Sequence, residues 1–124
     1  VKPGSDIDII VRDPGGAIVG TSESGTSQEE VNLDSPAAGT YTVEVAGFNV
    51  NGTTPFKLHS WVLGTASANN VQVYAPSSVT AGQTIEVSLI PLPVGLSYGT
   101  RYLGSLVYSG NPNLPPPTII RLDR

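Results

Sequence analysis

Apolar and polar residues alternate with a period of two through most of the chain. Ile7, Ile9 and Val11 share one face of a segment whose other face carries Asp6, Asp8 and Arg12. The pattern recurs in residues 17–22 and in 28–33, where Val31 and Leu33 oppose Glu30 and Asn32. In residues 40–48, Tyr41, Val43 and Val45 alternate with Thr42, Glu44 and Ala46. In residues 55–64, Phe56, Leu58, Ser60 and Val62 alternate with Lys57, His59, Trp61 and Leu63. Further strands are predicted at 70–75, 83–90, 100–108 and 118–122. Side chains of a strand point alternately to its two faces, so each run reads as a half-buried strand, and no stretch keeps a helical period over three turns. The predicted class is all-β.

Turn residues punctuate these runs. In Asp13-Pro14-Gly15-Gly16 the proline fixes φ at the first central position and a glycine supplies positive φ. Asn51-Gly52 is a two-residue hairpin signal, and Pro36-Ala37-Ala38-Gly39 and Ala81-Gly82 each lead into a new strand. Turns every 8–12 residues or so predict an antiparallel β-sandwich or jelly roll. The stretch "GTASANN" (64–70) is small, polar and aperiodic, a natural seam between residues 1–64 and 65–124. A unit of roughly 60 residues buries little by itself, so two small packed β units are expected. "SGNPNLPPP" (109–117) reads as an irregular loop before the last strand.

Composition adds context. The 124 residues carry 13 % charged side chains and a net charge of −4. Residues 1–64 hold three cations against eight carboxylates, while residues 65–124 hold three against two. Neither half has a basic patch for a phosphate backbone, so a nucleic-acid partner is excluded from the reading. With no Cys there is no disulfide framework, thiolate zinc site or cysteine nucleophile. No apolar run is long enough to span a membrane as a helix. A chain without Met and without a signal peptide is expected to be a piece processed from a longer precursor.

The residues that invite chemistry are few. Asp6 and Asp8, two apart on a strand, lie on one face about 7 Å apart. One calcium ion touching both would need carbonyls or acids from elsewhere. The plainer reading makes them a solvent-facing strand edge, with Asp13 as the first residue of the turn. His59 is the single histidine, and no nucleophile motif accompanies it, so it reads as a surface residue rather than a catalytic one. Trp61, with His59 beside it and Tyr41, Tyr74, Tyr98, Tyr102 and Tyr108 elsewhere, suits either a sugar- or peptide-binding platform or packing. No catalytic residue is assigned.

The stretch "GSDIDIIVRDPGGAIVGTSESGTSQEEVNLDSPAAGTYTVEVAGF" (4–48) resembles the bacterial pre-peptidase C-terminal domain, and the resemblance extends over about residues 4–63. That pattern runs D-x-D, an aliphatic strand, D-P-x-G, a serine- and glycine-rich stretch, E-x-V-x-L and P-x-A-G-T-Y-x-V-x-V. Asp6, Asp8, Val11, Asp13, Pro14, Gly16, Glu30, Leu33, Pro36, Gly39, Tyr41, Val43 and Val45 fall on or beside it. "FKLHSWVLG", "VTAGQTIEVSL" and "GTRYLGSLVYSG" are similar to the tail that follows this domain in secreted subtilisin-like serine proteases. The resemblance implies a non-catalytic C-terminal module of such an enzyme, exported, with the catalytic triad upstream. It also implies a β-sandwich or jelly roll for residues 1–64 and an immunoglobulin- or fibronectin-like unit for 65–124. Its partners would be the catalytic domain of the same protease and a protein or cell-wall substrate. Its task would be support of secretion and stability, or attachment to that substrate. A carbohydrate- or surface-binding module and a calcium-stiffened spacer are the alternatives, since some related modules bind calcium. Members of the family usually carry strands before D-x-D. A sheet lacking them would keep an open edge, a place for strand addition or dimerisation.

Overall fold

The computed structural model describes residues 3–92, 94–110 and 113–124. Among them there is no helix, and every strand pairing is antiparallel. The fold is all-β, built of small units of the sandwich class. The chain divides into Val1–Ser60 and Trp61–Arg124.

The first unit is a three-stranded sheet. Strand β1 (Asp6–Arg12) runs between β2 (Ile18–Ser22) and β3 (Thr42–Asn49). The β1–β2 register sets Ile9 opposite Ser22 and Val11 opposite Gly20. The β1–β3 register sets Ile9 opposite Val45 and Val11 opposite Val43. Alternation therefore places Ile7, Ile9, Val11, Val43 and Val45 on one face, as the sequence pattern requires. Ile7 and Val11 are the buried apolar residues of the described chain, so the core of this unit lies under the middle strand.

The β1–β2 turn follows from its composition. Asp13 Oδ1 accepts the amides of Gly15 (2.9 Å) and Ala17 (2.8 Å), and the Gly16 amide donates to the Asp13 carbonyl at 2.9 Å. Gly16 takes φ of 86°, the left-handed region that an L side chain enters only with strain. Gly39 lies against the Pro14 ring, where a side chain would collide.

Two expected strands of this unit are absent. Residues 28–33 carry no strand. They reach β2 through side chains, for the Glu30 amide donates to Ser22 Oγ at 3.3 Å where a ladder would offer a carbonyl. Val31 and Leu33 lie against Gly20, so the alternation there reports packing without pairing. Residues 55–64, which run across the boundary between the two units, likewise form no strand and are exposed throughout.

The second unit holds two ribbons. Strand β4 (Val71–Tyr74) pairs with β5 (Ser88–Pro91), and β6 (Arg101–Leu106) with β7 (Thr118–Asp123). The strand expected over 83–90 is confined to the end of that stretch. A turn replaces its start: the Gln83 amide donates to the Thr80 carbonyl and Gln83 Oε1 accepts the Thr80 amide. In the second ribbon Arg101 makes a forked contact with Asp123, at 2.6 and 3.0 Å. The expected loop at 109–117 includes residues 111 and 112, which lie outside the described residues.

Candidate functional site

Strand geometry brings Asp6 and Asp8 to one face at the start of β1, and the chain after β2 supplies a third acid. Carboxylate oxygens of Asp6, Asp8 and Glu29 lie within 4.8 Å of one another, and all three residues are half-buried. This corrects the sequence reading, in which the two aspartates face solvent. The serine-rich stretch 23–29 folds back across the beginning of β1 and covers them. Its anchors are hydroxyls: Ser27 Oγ donates to the Ser5 carbonyl, and Ser22 Oγ donates to Glu29 Oε2. Ser24 Oγ donates to Glu29 Oε1, and the Ser24 amide reaches Oε2 at 3.4 Å.

The three acids are electrostatically unequal. Loss of hydration raises the Asp8 carboxyl above its ordinary range, and the charges of Asp6, Glu23 and Glu29 push in the same direction. The Ser22 hydroxyl, followed by that of Ser24, holds Glu29 below its ordinary range, against the opposing effect of desolvation. Oδ1 of Asp6 is sealed from solvent and has no hydrogen-bond partner. A sealed carboxylate oxygen without a donor is costly.

This donor set fits a hard divalent cation. Calcium binds carboxylate and carbonyl oxygens at about 2.3–2.6 Å, so two oxygens on opposite sides of one ion stand about 5 Å apart. The spacing of the three acids meets that limit, and a cation would give Asp6 Oδ1 a counter-charge. Asp13 stands apart from the cluster, occupied by its turn.

The other singled-out residues are not brought into a constellation. His59 lies one residue before the end of the first unit and Trp61 opens the second; both are exposed and neither is on a strand. The tyrosines of the second unit serve their own surroundings. Tyr102 Oη accepts the Ser97 amide at 2.8 Å, a bond that lowers the phenol's pKa. The Tyr108 and Thr118 hydroxyls lie 2.7 Å apart, and the Arg124 guanidinium lies 4.4 Å over the Tyr98 ring.

Glu29 is the residue that sequence reasoning missed. In the alternation it is indistinct from Glu30, although the acid of the E-x-V-x-L pattern, two places before Val31, falls on Glu29 itself. The serines at 22 and 24, two donors on one side of a strand end, are the pattern that would have pointed to an acceptor.

Residues 2–47 match the family model described as the bacterial pre-peptidase C-terminal domain. The match takes in β1, β2, the three acids and β3 as far as Gly47. No curated protein and no solved structure matches the chain.

Proposed function

We propose that the chain is a non-catalytic accessory module of a secreted subtilisin-like serine protease, supporting its export and stability or holding it on a protein or cell-surface substrate. The observation that carries this reading is the family match over residues 2–47. Domains of that kind are non-catalytic and typically stand at the C-terminal end of secreted proteases. The turn and strand that define the match are structural in their chemistry: Asp13 holds two amides, and Ile7 and Val11 feed the core. No described helix is long and apolar enough to cross a membrane. The test is the coding sequence upstream of Val1 together with a deletion. A subtilisin-like domain with its Asp, His and Ser is expected there, and removing residues 1–124 should lower the yield of secreted active enzyme. An unrelated upstream domain, or hydrolysis of peptide by this chain alone, overturns the reading.

A second reading concerns stiffness and rests on the sealed Asp6 oxygen among three carboxylates. Asp6, Asp8 and Glu29 would hold a calcium ion, which would supply positive charge and no reaction chemistry. Such an ion would tie the 23–29 stretch to β1 and make the module a calcium-stiffened spacer.

A further inference from the structure

The hairpin expected at Asn51-Gly52 does not form. Strand β3 ends at Asn49, and residues 55–64 offer no strand to pair with it. Ladder bonds that would hold the turn are therefore missing, and among the described residues neither Asn51 nor Gly52 makes a hydrogen bond. Both are exposed. Gly52 takes φ of 71°, and the space a side chain would fill there is open.

That combination has a chemical consequence. Joining the Gly52 nitrogen to Cγ of Asn51 closes a five-membered ring. Three things oppose such a closure: a hydrogen bond on the N–H, a side chain crowding the nitrogen, and a backbone fixed by its neighbours. None of them operates here. Glycine has no Cβ, the amide is unpaired, and no ladder holds the turn. The other described asparagines each meet an obstacle. Asn32 gives its side-chain amide to Glu30 at 2.7 Å and precedes the half-buried Leu33. Asn49 lies on β3 opposite Asp6. Asn69, Asn70 and Asn113 are followed by Asn70, Val71 and Leu114, whose side chains crowd the attacking nitrogen.

We propose that Asn51 is a site of spontaneous deamidation and isomerisation, with water as the co-reactant. The Gly52 N–H gives its proton to solvent base, and the nitrogen attacks Cγ of Asn51. The new C–N bond replaces the bond from Cγ to the side-chain nitrogen, which takes up a proton from water and leaves as ammonia. Water then opens the cyclic imide. Addition at Cγ restores the ordinary backbone and leaves an aspartate side chain. Addition at the backbone carbonyl of position 51 leaves the chain running through Cβ and Cγ, an isoaspartate. Nothing is oxidised or reduced. The product is about 1 Da heavier and carries one more negative charge, a ninth carboxylate among residues 1–64 against three cations. In the isoaspartate form the backbone is one methylene longer, two residues past the end of β3.

Timed incubation of the full chain at pH 8 and pH 5 tests this, read by tryptic mapping with mass spectrometry and by isoaspartate-specific enzymatic methylation. The fragment 13–57 holds the site, and fragmentation within it separates Asn51 from Asn49 and Asn32. Conversion at Asn51 should be faster at pH 8 and should run within about threefold of the rate in the free peptide 49–54. Gly52→Ala should slow it about tenfold, because a methyl group crowds the nitrogen. Asn51→Gln should remove it, because the ring to be closed is larger, and should melt with the parent, which separates lost chemistry from lost fold. A chain slower than that margin overturns the proposal, since the Gly52 amide would then be held. Conversion at another asparagine first, or at a rate indifferent to pH or to Gly52→Ala, overturns it as well. A mass gain at position 51 without isoaspartate overturns the imide route.

Discussion

The Ser22 hydroxyl donates to the Glu29 carboxylate across seven residues, closing the serine-rich loop over the start of β1. That bond stabilises the charged form of Glu29, while Asp8 nearby is pushed toward its neutral form.

The two shifts carry opposite pH signatures. A carboxyl raised above its ordinary 3.8 when folded stabilises the fold only while protonated, so Asp8's contribution is lost as pH rises through its folded value. Glu29, lowered from 4.5, contributes stability above that value and loses it as pH falls through its folded one. Asp8→Asn should therefore melt above the parent at pH 7 in chelator, with the advantage gone near pH 3. Glu29→Gln should melt below the parent at pH 7, with a smaller deficit in acid. Thermal melts at the two pH values check both, and identical behaviour at pH 7 and pH 3 contradicts the assigned shifts.

Calcium should raise the melting temperature of the parent chain. Binding only the folded form at ten times the dissociation constant adds about 1.4 kcal/mol. Glu29→Gln and Asp6→Asn should each reduce the response, and chelator should reverse it in the parent. Equal responses in parent and variants would place the ion elsewhere; no response removes the spacer reading.

Gly20 is the point where the 28–33 segment meets β2. A Cβ there would collide with the Val31 side chain, so Gly20→Ala should cost about 1–3 kcal/mol as overpacking. In Val31→Ala the same change should cost much less. A double-mutant cycle by urea denaturation reads the coupling, and additive costs would show that Val31 does not press on β2.

Asp13→Ala should remove about 1 kcal/mol or more, since one oxygen serves two backbone amides. Asp13→Asn keeps an acceptor and should lose less. Gly16→Ala should be destabilising by about 1 kcal/mol for its positive φ. Chemical denaturation of the three variants orders them; an Asn variant as weak as the Ala one would assign the effect to charge instead of the acceptor.

Sequence reading reached furthest where a local rule and the tertiary environment agree. Ile7 and Val11 alternate with Asp6 and Asp8, and the sheet buries the first pair. The Asp13 turn forms where Pro and Gly demand it. The same rule failed at 28–33 and 55–64, because a period of two reports which side chains face apolar surroundings and says nothing of whether a backbone partner exists. Val31 and Leu33 found Gly20; Phe56 and Leu58 remain exposed. At the acid cluster, Asp6 and Asp8 were legible as a pair from their spacing. Glu29 was not, because 21 residues separate it from Asp8 and only the fold-back through Ser22, Ser24 and Ser27 brings it there.

The middle position of β1 sets an order of assembly. Pairing Arg12 with Ile18 closes a turn of a few residues, while pairing Arg12 with Thr42 closes a loop about five times longer. The longer closure costs about 1.4 kcal/mol more in chain entropy. The β1–β2 hairpin therefore forms early, and β3 docks onto it afterwards. A chain emerging into a crowded compartment meets other chains with its hairpin made and its third strand still unplaced. The moment of greatest vulnerability to mispairing thus falls late in folding, at β3.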